Sequence, residues 1–206
     1  MATGQSVGTS RREEYAEATR RAIMRAARQL FSERGYFATK VDDIAALARV
    51  APATVYAVSG GKHGLLRALT DTAITDPIIE STIKRVEELD NPAAIIRLVA
   101  ATVRGMHEEF GDFLRVLLGT APHDKAASES LVAGTARYRK AFVPIAQRLV
   151  NLDALHAGID VDEAVDVFWF YLGYSGFFTL HGENGWSYDR AERWLCDEAS
   201  RALLRD

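Results

Sequence analysis

Between Asp166 and His181 the chain runs for fourteen residues without a charge, as VFWFYLGYSGFFTL. Fourteen is well short of the roughly 20 apolar residues that a membrane span needs. Read as a helix, the segment is apolar on every side, so protein must cover it on more than one face. In a chain of 206 residues, one face can meet the chain's own core and another a second subunit. This run alone predicts helices packed upon helices.

The rest of the sequence punctuates helices throughout and alternates like a strand nowhere at length. Ser10-x-x-Glu13 has the form of a capping box. Behind it Ile23, Ala27, Leu30 and Phe31 fall on one helical face, and Gly35 stops the helix. Thr39-x-x-Asp42 reads as a second capping box, opening a short helix with Ile44, Leu47 and Ala48 on its apolar side. Pro52 suits the first turn of a third helix, Gly60-Gly61 breaks it, and a fourth begins near Lys62. Asp76-Pro77 and Asn91-Pro92 each set a capping side chain before a proline. Pro144 lies inside a helix spanning about 125–149. Asp160-x-x-Glu163 opens a long helix that His181-Gly182 closes, and Ser187 caps the last one. The fold class is all-α.

Residues 40–59 have the layout of a helix-turn-helix: a short helix, a tight Ala48-Arg49-Val50-Ala51 turn and a second short helix. In such motifs the second helix enters the major groove while flanking groups hold phosphates. A nucleotide-phosphate loop at Ser59-Gly60-Gly61-Lys62 fails on context, with no strand before it and His63 where a magnesium-binding Ser or Thr belongs.

From Ile23 to Leu66 the chain resembles the DNA-binding domain of the tetracycline-repressor-like (TetR) family. The pattern A-x-x-L-F, G-Y-x-x-T, D-I-A-x-x-A-x-V, T-[VL]-Y and K-x-x-L-L is present in order in "AARQLFSERGYFATKVDDIAALARVAPATVYAVSGGKHGLL". The resemblance implies an N-terminal three-helix helix-turn-helix domain at 19–70, after a flexible tail at 1–18. A C-terminal helical bundle for ligand sensing and dimerisation then fills 71–206. It implies that Thr39 offers its hydroxyl or backbone N–H to a phosphate. Thr54 and Tyr56 contact backbone phosphates, and Lys62 adds a charge-assisted phosphate contact from the start of the fourth helix. On this reading the two glycines turn the chain so that Tyr56 and Lys62 grip one DNA strand.

The sequence also departs from the family. Ala51 stands where many members carry a capping serine, and small residues follow Tyr56. Ala53, Ala57 and Val58 cannot form bidentate hydrogen bonds. They meet thymine methyls, or they leave specificity to Lys40, Arg49 and DNA shape. Charge is divided to match. Residues 1–75 hold eleven Lys/Arg against seven Asp/Glu, while residues 76–206 hold fourteen against twenty-one. A basic head on an acidic body fits a nucleic-acid reader with a separate second function.

In the second half, Arg104, His107, Phe110, Phe113, Tyr138 and Phe142 mix aromatic and polar groups, with Phe170 and Tyr174 joining from the apolar run. A mostly apolar cavity with a few polar anchors is the usual form of a small-molecule site, and simple core packing is the alternative for each residue. In the family the last two long helices pair with those of a second copy. Phe168, Leu172, Ser175, Gly176 and Trp194 are the candidates for that surface.

Catalysis finds little support. The five histidines lack metal-ligand spacing, Glu108 and Glu109 point in different directions, and no cofactor or metal is expected. Cys196, the single cysteine, is expected to be buried and fits a reducing compartment. With no signal-peptide pattern at the start, a soluble cytoplasmic protein is expected. The reading is a homodimeric repressor of a double-stranded DNA operator, released by a small apolar or amphipathic effector, without membrane contact. A ligand-binding or scaffolding dimer without operator binding, and an all-α enzyme on a lipophilic substrate, are the alternatives.

Overall fold

The computed structural model describes residues 11–75 and 77–205. Ser10 and Asp76, two of the expected caps, lie outside them. Among the described residues the chain is helical, without a strand, and a single isolated bridge pairs Leu155 with Leu204. No helix among them is long and apolar enough to cross a membrane.

The first helix, α1 (Arg11–Arg34), begins inside the expected tail and ends at Gly35, whose φ of +82° needs a residue without a Cβ. Next come α2 (Val41–Ala48), α3 (Pro52–Ser59) and α4 (Lys62–Ile74). The capping box of α2 sits one residue later than expected: the Lys40 N–H donates to Asp43 at 3.1 Å. Thr39 is buried, and its hydroxyl donates to the Gly35 carbonyl at 2.8 Å, with the Leu30 carbonyl at 3.2 Å. It stitches the end of α1 to the entry of α2. Ile44 and Ala45 face inward from α2, while Leu47 lies outward, 44% exposed.

The body comprises α5 (Pro77–Glu87), α6 (Pro92–Thr120), α7 (Lys125–Asn151), α8 (Val161–Leu172), α9 (Tyr174–Phe177) and α10 (Tyr188–Leu203). Asn91, Asp160 and Ser187 cap as their positions predict, and Asp124 caps α7 by accepting from Ala127. Pro144 lies within α7. The expected single helix from Asp160 to His181 is instead broken at Gly173 and continues, after α9, as a π-helical turn at Phe178–Glu183. A Cβ on Gly173 would lie 2.3 Å from the Trp169 carbonyl oxygen, and one on Gly176 3.0 Å from Leu195. The small residues in the run therefore serve a sharp bend and close packing inside one chain.

Two buried clusters result. The larger fills the body, from Val86 and Ile95 to Phe168, Leu172 and Leu203, and includes Cys196. The smaller fills the head with Ile23, Phe31, Ile44, Val55, Leu65 and Leu66, and also takes in Phe113 and Leu117 of α6.

Candidate nucleic-acid interface

Arg49 ends α2 in the left-handed region, at φ 57°, and its N–H reaches the Ala46 carbonyl while that of Val50 reaches Ala45. This is the usual helix-stopping geometry, here adopted by a residue other than glycine. It sets α3 across α2, with Val55 fully buried against the head core. Pro52 opens α3 where its missing N–H costs nothing, so the uncapped Ala51 is partly offset.

The outward side of α3 carries Pro52, Ala53, Tyr56, Ala57 and Val58, all exposed, with Thr54 half-buried at its flank. Lys40 and Arg49 are exposed at either end of α2. Gly60 and Gly61, at φ +73° and +100°, turn the chain into α4. The Tyr56 ring leans on this turn so closely that a Cβ on Gly61 would lie 3.1 Å from its Cε1. Tyr56 stays 55% exposed, its ring braced from behind. Thus Lys40, Arg49, Ala53 and Tyr56 are accessible, and Thr54 partly so.

Lys62 does not join them. Its ammonium donates to the carbonyls of Tyr36 at 2.7 Å and Thr39 at 2.9 Å, and lies 4.4 Å from the centre of the Tyr36 ring. Burial pulls its pKa below the ordinary lysine value, against the opposing pull of Asp124. The same burial pushes the Tyr36 hydroxyl up to about 12. The expectation of outward phosphate contacts is therefore corrected for the Lys62 ammonium and for the Thr39 hydroxyl. Both hold the α1–α2 turn that positions the reading surface. Replacing Lys62 by methionine, which keeps the stem, is expected to cost about 2 kcal/mol, since charge-assisted bonds to carbonyls are worth roughly 1.5–3. Urea unfolding measures this. A Lys62→Met protein that unfolds like its parent but binds DNA less well would restore the phosphate role.

Head and body are clasped at three points that the sequence did not announce. Arg28 of α1 grips Asp112 of α6 at 2.8 Å and Glu109 at 3.3 Å, while Ser32 donates to Asp112 at 3.1 Å. His63 of α4 meets Asp124, the cap of α7, at 3.0 Å. Asp71 of α4 pairs with Arg137 of α7 at 2.6 Å. The partners lie more than sixty positions apart in sequence.

The candidate effector residues do not form one group. Arg104, partly exposed, joins α6 to α10 through Asp189 and Glu192 and also pairs with Glu108 on its own helix. Phe170 is 73% exposed. Phe110 and Phe113 sit where α6 meets the head, Phe110 beneath the Arg28 guanidinium. His107, Tyr138, Phe142 and Tyr174 are buried in the body. Tyr138 donates to the Leu172 carbonyl at 2.7 Å, and Phe142 stacks on Phe168. Tyr138 and Phe142 also border a small apolar cavity of about 30 Å³ between α5, α6 and α7, with Ile83, Val103 and Met106.

Of the candidates for a subunit interface, Phe168 and Leu172 are fully buried in their own chain, so they are corrected to core residues. Ser175 is exposed, and Gly176 and Trp194 are partly so. These three line an open groove of about 560 Å³ over α8 and α10, together with Trp169, Phe170 and Tyr171.

Residues 23–69 match the family described as bacterial regulatory proteins, tetR family. No curated protein matches the chain in sequence. Solved structures are similar over nearly the whole length. NalD of Pseudomonas aeruginosa, the secondary repressor of the MexAB-OprM multidrug efflux pump, is 23% identical over 94% of this chain and 99% of its own, at a TM-score of 0.75. SmeT of Stenotrophomonas maltophilia, repressor of the multidrug efflux pump SmeDEF, is 20% identical over 93% of each chain, at 0.71. A protein from Saccharomonospora viridis in complex with choline is 14% identical over 92% of this chain and all of its own, at 0.73. At these identities the likeness is one of fold.

Proposed function

We propose, from the premise that residues 23–69 belong to the tetR family of bacterial regulatory proteins, that the chain is a DNA-binding transcriptional repressor released by a small ligand. The observation that carries this reading is α3. It is pinned from behind by Val55 and offers a continuous outward face, with exposed cations at both ends of α2. Thr54 and Tyr56 contact phosphates at the edges of that face, and Lys40 and Arg49 add exposed cations from the ends of α2. NalD and SmeT are repressors of multidrug efflux pumps, and SmeT is also known in complex with triclosan. A lipophilic effector fits the apolar lining between α5, α6 and α7.

That cavity, at about 30 Å³, holds little more than one water, whereas drug-sized ligands occupy roughly 300–1,000 Å³. An effector entering there displaces α5 or spreads α6 from α7. A spreading of α6 from α7 reaches the head through the Arg28, His63 and Asp71 clasps. The ligand acts by favouring one head arrangement over the other, and a preference of roughly 1–3 kcal/mol changes operator affinity about 5- to 150-fold.

Operator binding calls for two heads, about 34–36 Å apart on successive major grooves. The groove over α8 and α10 is the surface for a second copy. Phe170 and Trp194 remain accessible there in a single chain, and contiguous apolar exposure marks an association site.

The test is a titration on duplex DNA from the flank of the protein's own coding sequence, at several salt concentrations, with mass measured in solution. The expected result is a dimer whose specific binding falls steeply with salt, by about 0.9 in log–log slope per phosphate contact. Tyr56→Phe, which removes only the hydroxyl, is expected to weaken all duplexes alike. A dimer with no preference among duplexes is instead the scaffolding protein, and the repressor reading fails.

A further inference from the structure

The outward face of α3 has an unusual chemistry for a helix that reads base pairs. With Val55 pointing straight into the core, a turn of about 100° per residue puts Ala53 and Ala57 diametrically outward. Gly60 follows them on the same line. Thr54 and Tyr56 stand at the two edges, and Pro52 and the 39% exposed Val58 lie further round. From Val50 to Gly61 there is no Asn, Gln, Arg, Lys, Asp or Glu. Of the hydroxyls in the segment, that of Ser59 donates to the Val55 carbonyl at 2.8 Å, and those of Thr54 and Tyr56 stand to either side of the central line and not on it.

Resting on the repressor reading above, we propose that each head recognises its half-site through the C5 methyl groups of thymines packed against Ala53 and Ala57. Two physical arguments select thymine. Of the four bases only thymine presents a methyl group in the major groove, so an alanine Cβ there buries apolar surface on both sides of the contact. A guanine, adenine or cytosine edge packed on the same two alanines loses water from its polar groups and finds no hydrogen-bonding group on that line of the helix, which costs free energy. The small side chains matter for reach as well. With only Cβ atoms on the central line, the backbone of α3 rides close to the base edges, and Gly60 extends that closeness past the helix end. Arg49 and Lys40, one at each end of α2, fix position on the phosphates, which orients the face without reading it.

The experiment begins with duplexes selected by the purified protein from a random-sequence pool. Thymine is expected at the positions facing α3 in each half-site. The selected duplex is then synthesised with deoxyuridine at those thymines, which removes the methyl and nothing else, so the protein is untouched. Affinity is expected to fall about fourfold for each methyl, the equivalent of ~0.8 kcal/mol per buried group of that size. Deoxyuridine outside the half-sites is expected to have no effect. In Ala57→Ser, which keeps the size but adds a hydroxyl, the difference between thymine and deoxyuridine is expected to shrink. Equal binding of the selected duplex and its deoxyuridine form overturns methyl recognition while leaving specific DNA binding in place. A loss that is the same wherever deoxyuridine is placed also overturns it, in favour of duplex stiffness. A pool from which no sequence is enriched overturns the repressor reading itself.

Discussion

Gly64→Ala is expected to lower the stability of the protein by about 3 kcal/mol or more and to abolish DNA binding. The added Cβ would stand 1.5 Å from the Ser59 carbonyl oxygen and 2.7 Å from its carbon. Both are backbone atoms, so no side-chain rotation relieves the clash. The positive-φ turn at Gly60 and Gly61 folds the end of α3 back over the first turn of α4, which brings Ser59 onto Gly64. Next to Gly64, Leu65 and Leu66 are fully buried in the head, and Lys62 is tied to the α1–α2 turn. Relief must therefore come from moving α3, which displaces Tyr56, or from lifting two leucines out of the core. Inserting atoms into well-packed surroundings typically costs 1–3 kcal/mol even where side chains can yield. In a chain of this length each kcal/mol moves the melting temperature by roughly 2–4 °C, so a fall of about 10 °C is expected by circular dichroism. Gly105→Ala is the control. Gly105 is exposed on α6 with open space around it, and the same change there is expected to stabilise by up to about 1 kcal/mol. Equal melting temperatures for the two variants would falsify the close approach at Ser59.

Acidification is expected to destabilise the body through His107. The ring is 3% exposed, lies 5.0 Å from the rings of both Phe177 and Phe178, and leaves Nε2 without a partner. Burial is the main cause that lowers its pKa from 6.5 to about 4; the Arg115 charge adds to this and a bond to the Gly173 backbone opposes it. Between these values the unfolded chain binds a proton that the folded chain refuses. Stability therefore falls as pH drops from 6.5 towards 4, and is unaffected by this group above about 7. The loss by pH 4 is roughly 3 kcal/mol. Carboxylates titrate over part of the same range, so the measurement is a difference. The drop in unfolding free energy between pH 7 and pH 4 is expected to be roughly 3 kcal/mol smaller in His107→Leu than in the parent. Identical pH profiles for the two proteins would show that the imidazole is hydrated in the native state.

The head was legible in the sequence because its signals are local. Apolar spacing at Ile23, Ala27, Leu30 and Phe31, the break at Gly35 and the paired glycines before Lys62 each depend on residues a few positions apart. The direction of Lys62 was not legible. A lysine at a helix start reads the same whether its flexible stem swings out or in, and the carbonyls that decide the matter lie 26 and 23 residues away. Thr39 misled for a related reason: a hydroxyl before a helix suits a cap or a buried stitch equally well, and Asp43 supplied the box one position later. The apolar run gave no periodicity from which to sort inward from outward, so Phe168 and Phe170, two positions apart, ended fully buried and 73% exposed. The break at Gly173 left a clearer trace, since glycine inside a helical pattern weakens it.

Phe113 and Leu117 share the interior of the head although they belong to α6. The reading unit is therefore not a detachable module. A transplant of the first 70 residues onto a foreign scaffold would leave a hole where those two side chains had been, and recombination between such proteins must carry the last turns of α6 along with the head. For the same reason, a twist of α6 about its own axis changes the packing against α1 and α4 directly, before any linker has moved.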